Sequence, residues 1–167
     1  MSCLGVHFAL TEDEASAIER LKDEADRLAY VQEEIEPKYF AGLKAYFAES
    51  DKAWDAMHRA LSDGRLTDDG GAYPLNLVVL GGKALYTDDD YIMSLKSPAD
   101  VKAISVALSQ ISQSEFRCRY ELIDIEDYGF PLSDDDFEYT WEWFQGVRSL
   151  YELASKEGRH VLFTADQ

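Results

Sequence analysis

The chain is predicted to be a single α+β domain over residues 1–167, with several helices packed around a small, mainly antiparallel sheet and a long C-terminal helix followed by a short final strand. Three observations predict it. The length is that of one ordinary domain, enough to bury about 70% of the surface an unfolded chain exposes. Hydrophobic residues make up 46% of the chain and aromatic ones 13%, which offsets the ordering entropy despite the charge. Finally, short stretches with a period of two alternate with capped stretches of helical period, and no repeat, linker or low-complexity block divides them.

Leu4, Val6, Phe8 and Leu10 alternate as in a half-buried strand spanning Cys3 to Leu10. Thr11 with Glu14 forms a capping box, predicting a helix from Glu12 to about Glu24. Leu28 and Tyr30 alternate, which reads as a strand near Leu28 to Glu33, followed by an acidic turn broken at Pro37. Tyr39 to Ala48 reads as a helical turn or two.

Ser50 or Asp51 is expected to cap a helix in which Trp54, Met57, His58 and Leu61 share a face, with Gly64 as its stop. A turn-rich loop follows to Tyr73. Leu75 to Leu80, between Pro74 and Gly81, suits a short helix or a buried strand, and periodicity does not choose between them. Tyr91 to Leu95 reads as a strand.

Ser97 and Pro98 open a helix whose core face is Val101, Ile104, Leu108 and Ile111, and Ser112 to Leu122 forms a shorter one. A loop with Gly129 and Pro131 comes next. Ser133 caps the longest helix, Asp134 to about Lys156, with Phe137, Trp141, Phe144, Val147 and Tyr151 facing the core and Gly158 as its stop. His160 to Ala165 is a short apolar strand.

The acids outnumber the bases by 33 to 16, a formal net charge of -17, where about 2–8 in magnitude suffices for solubility. Such a field repels phosphate backbones and anionic lipid, so nucleic acid and membrane surfaces are not expected partners, whereas a basic protein would be steered in. The two cysteines, Cys3 and Cys118, suggest neither a disulfide framework nor a zinc site, and a reducing cytoplasm fits them. No signal-type or membrane-spanning apolar run is read in the chain.

Catalytic signatures are missing. Gly82 and Lys83 follow an apolar run, but a phosphate loop needs glycine where Leu77 stands and Ser or Thr where Ala84 stands. Asp88 to Asp90 and Asp134 to Asp136 lack the ligand spacing of a calcium loop, so no metal and no cofactor are expected. The three histidines are scattered. His58 lies on an apolar helix face, where a histidine more often bonds a buried partner than performs chemistry.

From Glu121 to Val147 there are nine acids and no base, interleaved with Tyr128, Phe130, Tyr139 and Trp143. A partner-binding surface is therefore expected at Asp134, Asp135, Asp136, Glu138, Tyr139, Glu142 and Trp143. The alternative is a small-ligand or enzyme pocket near Trp54, His58, Gly81 and Gly82, and a third reading is a structural homo-oligomer subunit.

The segments DKAWDAMHRALSDG, PLNLVVLGG, YIMSL and FEYTWEWFQGVRSLYELASKEGRHVLFT together resemble the YfbM-like family of small bacterial proteins, a domain of unknown function. The resemblance covers most of the chain and implies a cytosolic α+β domain without a known cofactor. It supplies no catalytic residues. The leading expectation is a non-enzymatic binding protein for a basic partner, of the immunity or inhibitor type.

Overall fold

The computed structural model describes residues 3–167. Strand β1 (Gly5–Leu10) leads into α1 (Glu12–Arg20), α2 (Glu24–Tyr30) and α3 (Glu36–Gly42), then β2 (Phe47–Asp51) and α4 (Trp54–Leu61). After a long loop come β3 (Lys83–Ala84), β4 (Tyr91–Lys96), α5 (Pro98–Ser109), α6 (Gln113–Tyr120), α7 (Ile125–Tyr128), α8 (Asp134–Lys156) and β5 (His160–Asp166). The strands form one antiparallel sheet in the order β2-β1-β5-β4-β3. The expected α+β architecture, including the long last helix and final strand, is what the chain adopts.

The sheet is covered on both faces, so alternate residues of its central strands enter different cores. Phe163 and Ala165 of β5 join Trp54, Phe144, Val147 and Tyr151 on the α4–α8 side. Leu162, with Phe8 and Leu10 of β1, joins Ile18, Val31 and Tyr39 on the α1–α3 side. This explains why β1 and β5 are buried on both faces rather than half-buried.

The caps act as their chemistry requires. Thr11 and Glu14 form the reciprocal capping box, and the hydroxyls of Ser97, Ser112 and Ser133 each accept the backbone N–H three residues on. The left-handed Gly64 (φ 89°) donates its N–H to Arg59 O just after α4.

Several expectations are corrected. Leu28 to Glu33 is not a strand: α2, a π turn over Val31–Ile35 and α3 run on continuously. Pro37 lies just inside α3, and the N–H of Glu36 reaches back five residues to Val31 O. That widened turn makes room for a proline ring that would otherwise meet the carbonyl four residues before it. The first helix ends at Arg20, because Asp23 caps a new one through the N–H of Ala25.

Residues 47–51 form β2, which replaces the end of the expected helical turn. Ser50 and Asp51 belong to it and do not cap α4; the Ser50 hydroxyl donates to Gly5 O across the sheet instead. Leu75–Leu77 is a 3-10 turn, so the helical alternative for that stretch is closer. The loop before Gly129 contains the short helix α7, capped by Asp124.

Candidate functional site

The first two turns of α8, the end of α7 and the start of α4 meet around a hollow of about 480 Å³. Its walls include Trp54, Asp55, Tyr128, Phe130, Asp136 and Tyr139. Ser133 fixes the helix start, which places Asp136 where its carboxylate accepts from the hydroxyls of Tyr120 at 2.6 Å and Tyr128 at 3.1 Å. One carboxylate thereby ties α6, α7 and α8 together. Trp54 is anchored by its indole N–H, which donates to Cys3 O at 2.9 Å.

Behind the hollow lies Arg59, only 3% exposed. It donates to Asp55 Oδ1 and Asp127 Oδ2, each at 2.5 Å, and its guanidinium sits 5.2 Å from the Tyr128 ring centre. Arg59 holds α7 against α4 and positions the aromatic wall. Burial pushes the Asp55 carboxyl pKa up; Arg59 pulls it back down, while Asp127 and Asp136 push it further up. The hollow thus sets the carboxylates of Asp55 and Asp136 against the ammonium of Lys52 beside aromatic faces, with Phe130 65% exposed at its lip.

Two more hollows continue along α8. A small one of about 140 Å³ lies among Val6, Glu49, Asp51 and Trp143. The next, about 540 Å³, lies between Lys44, Phe47 and Glu49 on one side and Glu142, Gly146 and Leu153 on the other. As α8 runs forward from Tyr139 to Leu153, the opposing chain runs backward from Asp51 to Lys44. Helix and edge strand are therefore antiparallel walls of one groove.

The predicted partner-binding residues divide between these places. Asp136 and Tyr139 line the first hollow, and Glu142 and Trp143 line the groove beyond. Asp134 instead pairs with Arg117 at 2.5 Å, Asp135 is exposed to solvent, and Glu138 faces Gln113 at 3.5 Å.

Of the alternative set, Trp54 alone reaches the hollow. His58 is 1% exposed, with Nε2 2.6 Å from Thr67 O and Nδ1 3.5 Å from the N–H of Leu80. It fastens the loop after α4, and burial lowers its pKa to about 4. A Cβ on Gly81 would come within 2.5 Å of Asn76 O, and Gly82 adopts φ 112° with Leu95 O beside it, so both glycines serve the backbone path. Among the described residues no group of three or more His, Cys, Asp or Glu is arranged to hold a metal ion.

Asp55, Arg59, Asp51 and Glu49 also belong to the site, although none is among the residues expected there. The i,i+4 spacing of Asp55 and Arg59 was a visible signal of their pairing. Nothing local announced that Asp51 and Glu49 would face α8, because that depends on where β2 pairs.

No described helix is long and apolar enough to cross a membrane. No curated protein sequence matches the chain. Among solved structures, the fold is similar to that of YfbM from Escherichia coli, a protein of unknown function, with 19% identity and a TM-score of 0.66 over 97% of this chain and 99% of that one. The family model described as "Domain of unknown function (DUF1877)" matches residues 1–164, and the chain belongs to that family.

Proposed function

We propose that this protein is a non-enzymatic binding protein whose acidic, aromatic groove along α8 receives a basic segment of a protein partner. The observation that carries the reading is the convergence of Trp54, Tyr128, Phe130 and Tyr139 around the carboxylates of Asp55 and Asp136. Aromatic faces attract ammonium and guanidinium groups, and partly desolvated carboxylates add charge and hydrogen-bond acceptors. The net charge of -17 supports long-range steering of such a partner. An immunity or inhibitor role against a basic toxin is one biological form of this activity. The free thiols of Cys3 and Cys118 suit work in a reducing cytoplasm.

The test is titration of lysine- and arginine-containing peptides, followed by tryptophan fluorescence and calorimetry at about 50 and about 300 mM salt. Binding should weaken about tenfold or more at the higher salt. Asp55→Asn with Asp136→Asn should weaken it about tenfold, whereas Asp134→Asn with Asp135→Asn should change it less than about threefold. Salt-independent binding, or equal loss from the two pairs, would overturn the proposal. Preferential uptake of free organic cations over peptides would favour the small-ligand alternative in the same hollow.

A further inference from the structure

We infer that the basic partner binds as an extended strand added to the free edge of β2, lying in the groove between that edge and α8. This inference rests on the binding reading above and specifies the form the partner takes.

Strand β2 ends the sheet, with β1 on its inner side. Among the described residues, no backbone hydrogen bond ties Phe47, Ala48 or Glu49 to any element other than β1. An unpaired edge is a template for another strand, and proteins usually shorten, twist or cover it. Here the edge is instead accompanied along its length by a groove. The stripe from Tyr139 to Leu153 covers about 21 Å of helix, which an extended segment of about six residues matches.

Gly146 is the second observation. It is an exposed residue near the middle of α8, where a Cβ would meet only the Cβ of Ala48 at 4.0 Å. Neither a close contact nor a positive φ calls for glycine there, and glycine is unfavourable within a helix. Its effect is to leave the groove open beside Ala48, where an added strand must pass close to the helix.

Charge selects the occupant. Glu49 and Glu142 flank the middle of the groove and Asp51 one end, against Lys44 at the other. A second copy of this chain, itself carrying -17, would set the same carboxylates against them. An acidic edge therefore discourages self-pairing and admits a strand carrying lysine or arginine. Main-chain pairing would supply affinity, and the carboxylates would select basic side chains.

The probe is a six-residue peptide alternating lysine with valine or threonine, titrated into isotopically labelled protein. Binding should slow amide hydrogen exchange across Phe47–Asp51 about tenfold or more, and methylating alternate peptide amides should abolish both binding and protection. Gly146→Leu, which fills the groove, should weaken binding about tenfold. The methylated peptide leaves the protein unaltered, so misfolding cannot produce its result. Binding that is weakened by Asp55→Asn and Asp136→Asn without protecting β2 would overturn the strand inference and leave the binding proposal standing. Absence of salt-sensitive binding by this peptide and by the peptides of the previous test would overturn both.

Discussion

The hydroxyl of Tyr139 donates to Asp51 Oδ2 at 2.6 Å, joining the second turn of α8 to the end of β2 across 88 residues of sequence. Asp51 is also a non-glycine residue with positive φ, at 45°. The bond ties α8 to β2 at the point where the first hollow gives way to the strand edge. Burial and the neighbouring Asp51 carboxylate push the Tyr139 pKa up to about 12.

Removing this link should be measurable. Tyr139→Phe is expected to destabilise by about 1 kcal/mol in urea melts, the net value of one partly exposed hydrogen bond. Asp51→Val should cost about 2–3 kcal/mol, since it also puts a β-branched side chain at a left-handed position. Asp51→Asn, which tolerates that conformation and still accepts, should lie closer to the parent.

Acid should destabilise the fold through two histidines. His7 is fully buried with its pKa lowered to about 3 by burial and then by Lys96, and His58 is lowered to about 4. The unfolded chain takes up these protons near pH 6.5 while the native state does not, so stability falls as pH drops below 6.5. The loss continues to about pH 4 for His58 and about pH 3 for His7. Each proton adds a slope of about 1.4 kcal/mol per pH unit. Nδ1 of His7 has no hydrogen-bond partner among the described residues, so protonation would create a donor without an acceptor. Chemical denaturation at pH 7 and pH 5 checks this, and His58→Gln should remove about half of the difference.

Lys96 should act at the alkaline end. It is 0% exposed, with Nζ 2.5 Å from Val79 O and 2.6 Å from Ser94 Oγ, and burial drives its pKa well below the usual lysine range. Between its lowered native pKa and about pH 10.4 the unfolded lysine holds a proton that the native one has released. Native stability should therefore rise with pH across that window. Lys96→Met should abolish the rise while Val79 O keeps the Ser94 hydroxyl at 3.1 Å. Melting curves at pH 8 and pH 9.5 provide the comparison.

Gly146→Ala should stabilise the protein by about 1 kcal/mol, because a helix interior favours alanine and its Cβ finds open space. A thermal melt checks the sign. If stability rises while affinity for the lysine peptide falls, the glycine is retained for binding at the expense of the helix.

Capped helices were legible because their signals are local: Ser133 with three following aspartates, or Ser97 before Pro98, act within one turn. The misread segments were those whose fate depends on distant partners. Leu28 and Tyr30 alternate in sequence, yet the π turn ahead of Pro37 keeps that segment helical. Phe47 to Asp51 has little strand character of its own and becomes a strand because β1 presents a ladder to it. In the site, Asp136, Tyr139 and Trp143 were readable from the acidic, aromatic stretch. Their separation from Asp134 and Asp135 was not, since it depends on which way α8 turns against the sheet.

By itself the sequence determined the α+β class, the long last helix with its core stripe, the acidic field and the lack of familiar catalytic motifs. These follow from local capping, hydrophobic period and summed charge, none of which needs a tertiary contact. Only the tertiary structure decided that Trp54 shares a hollow with Asp136 and Tyr139, that His58 is committed to backbone, and that β2 offers an open edge beside Gly146. Each of these depends on how segments far apart in the chain pack together. Sequence periodicity assigns a residue to a face of its own helix or strand, and packing alone selects what that face meets.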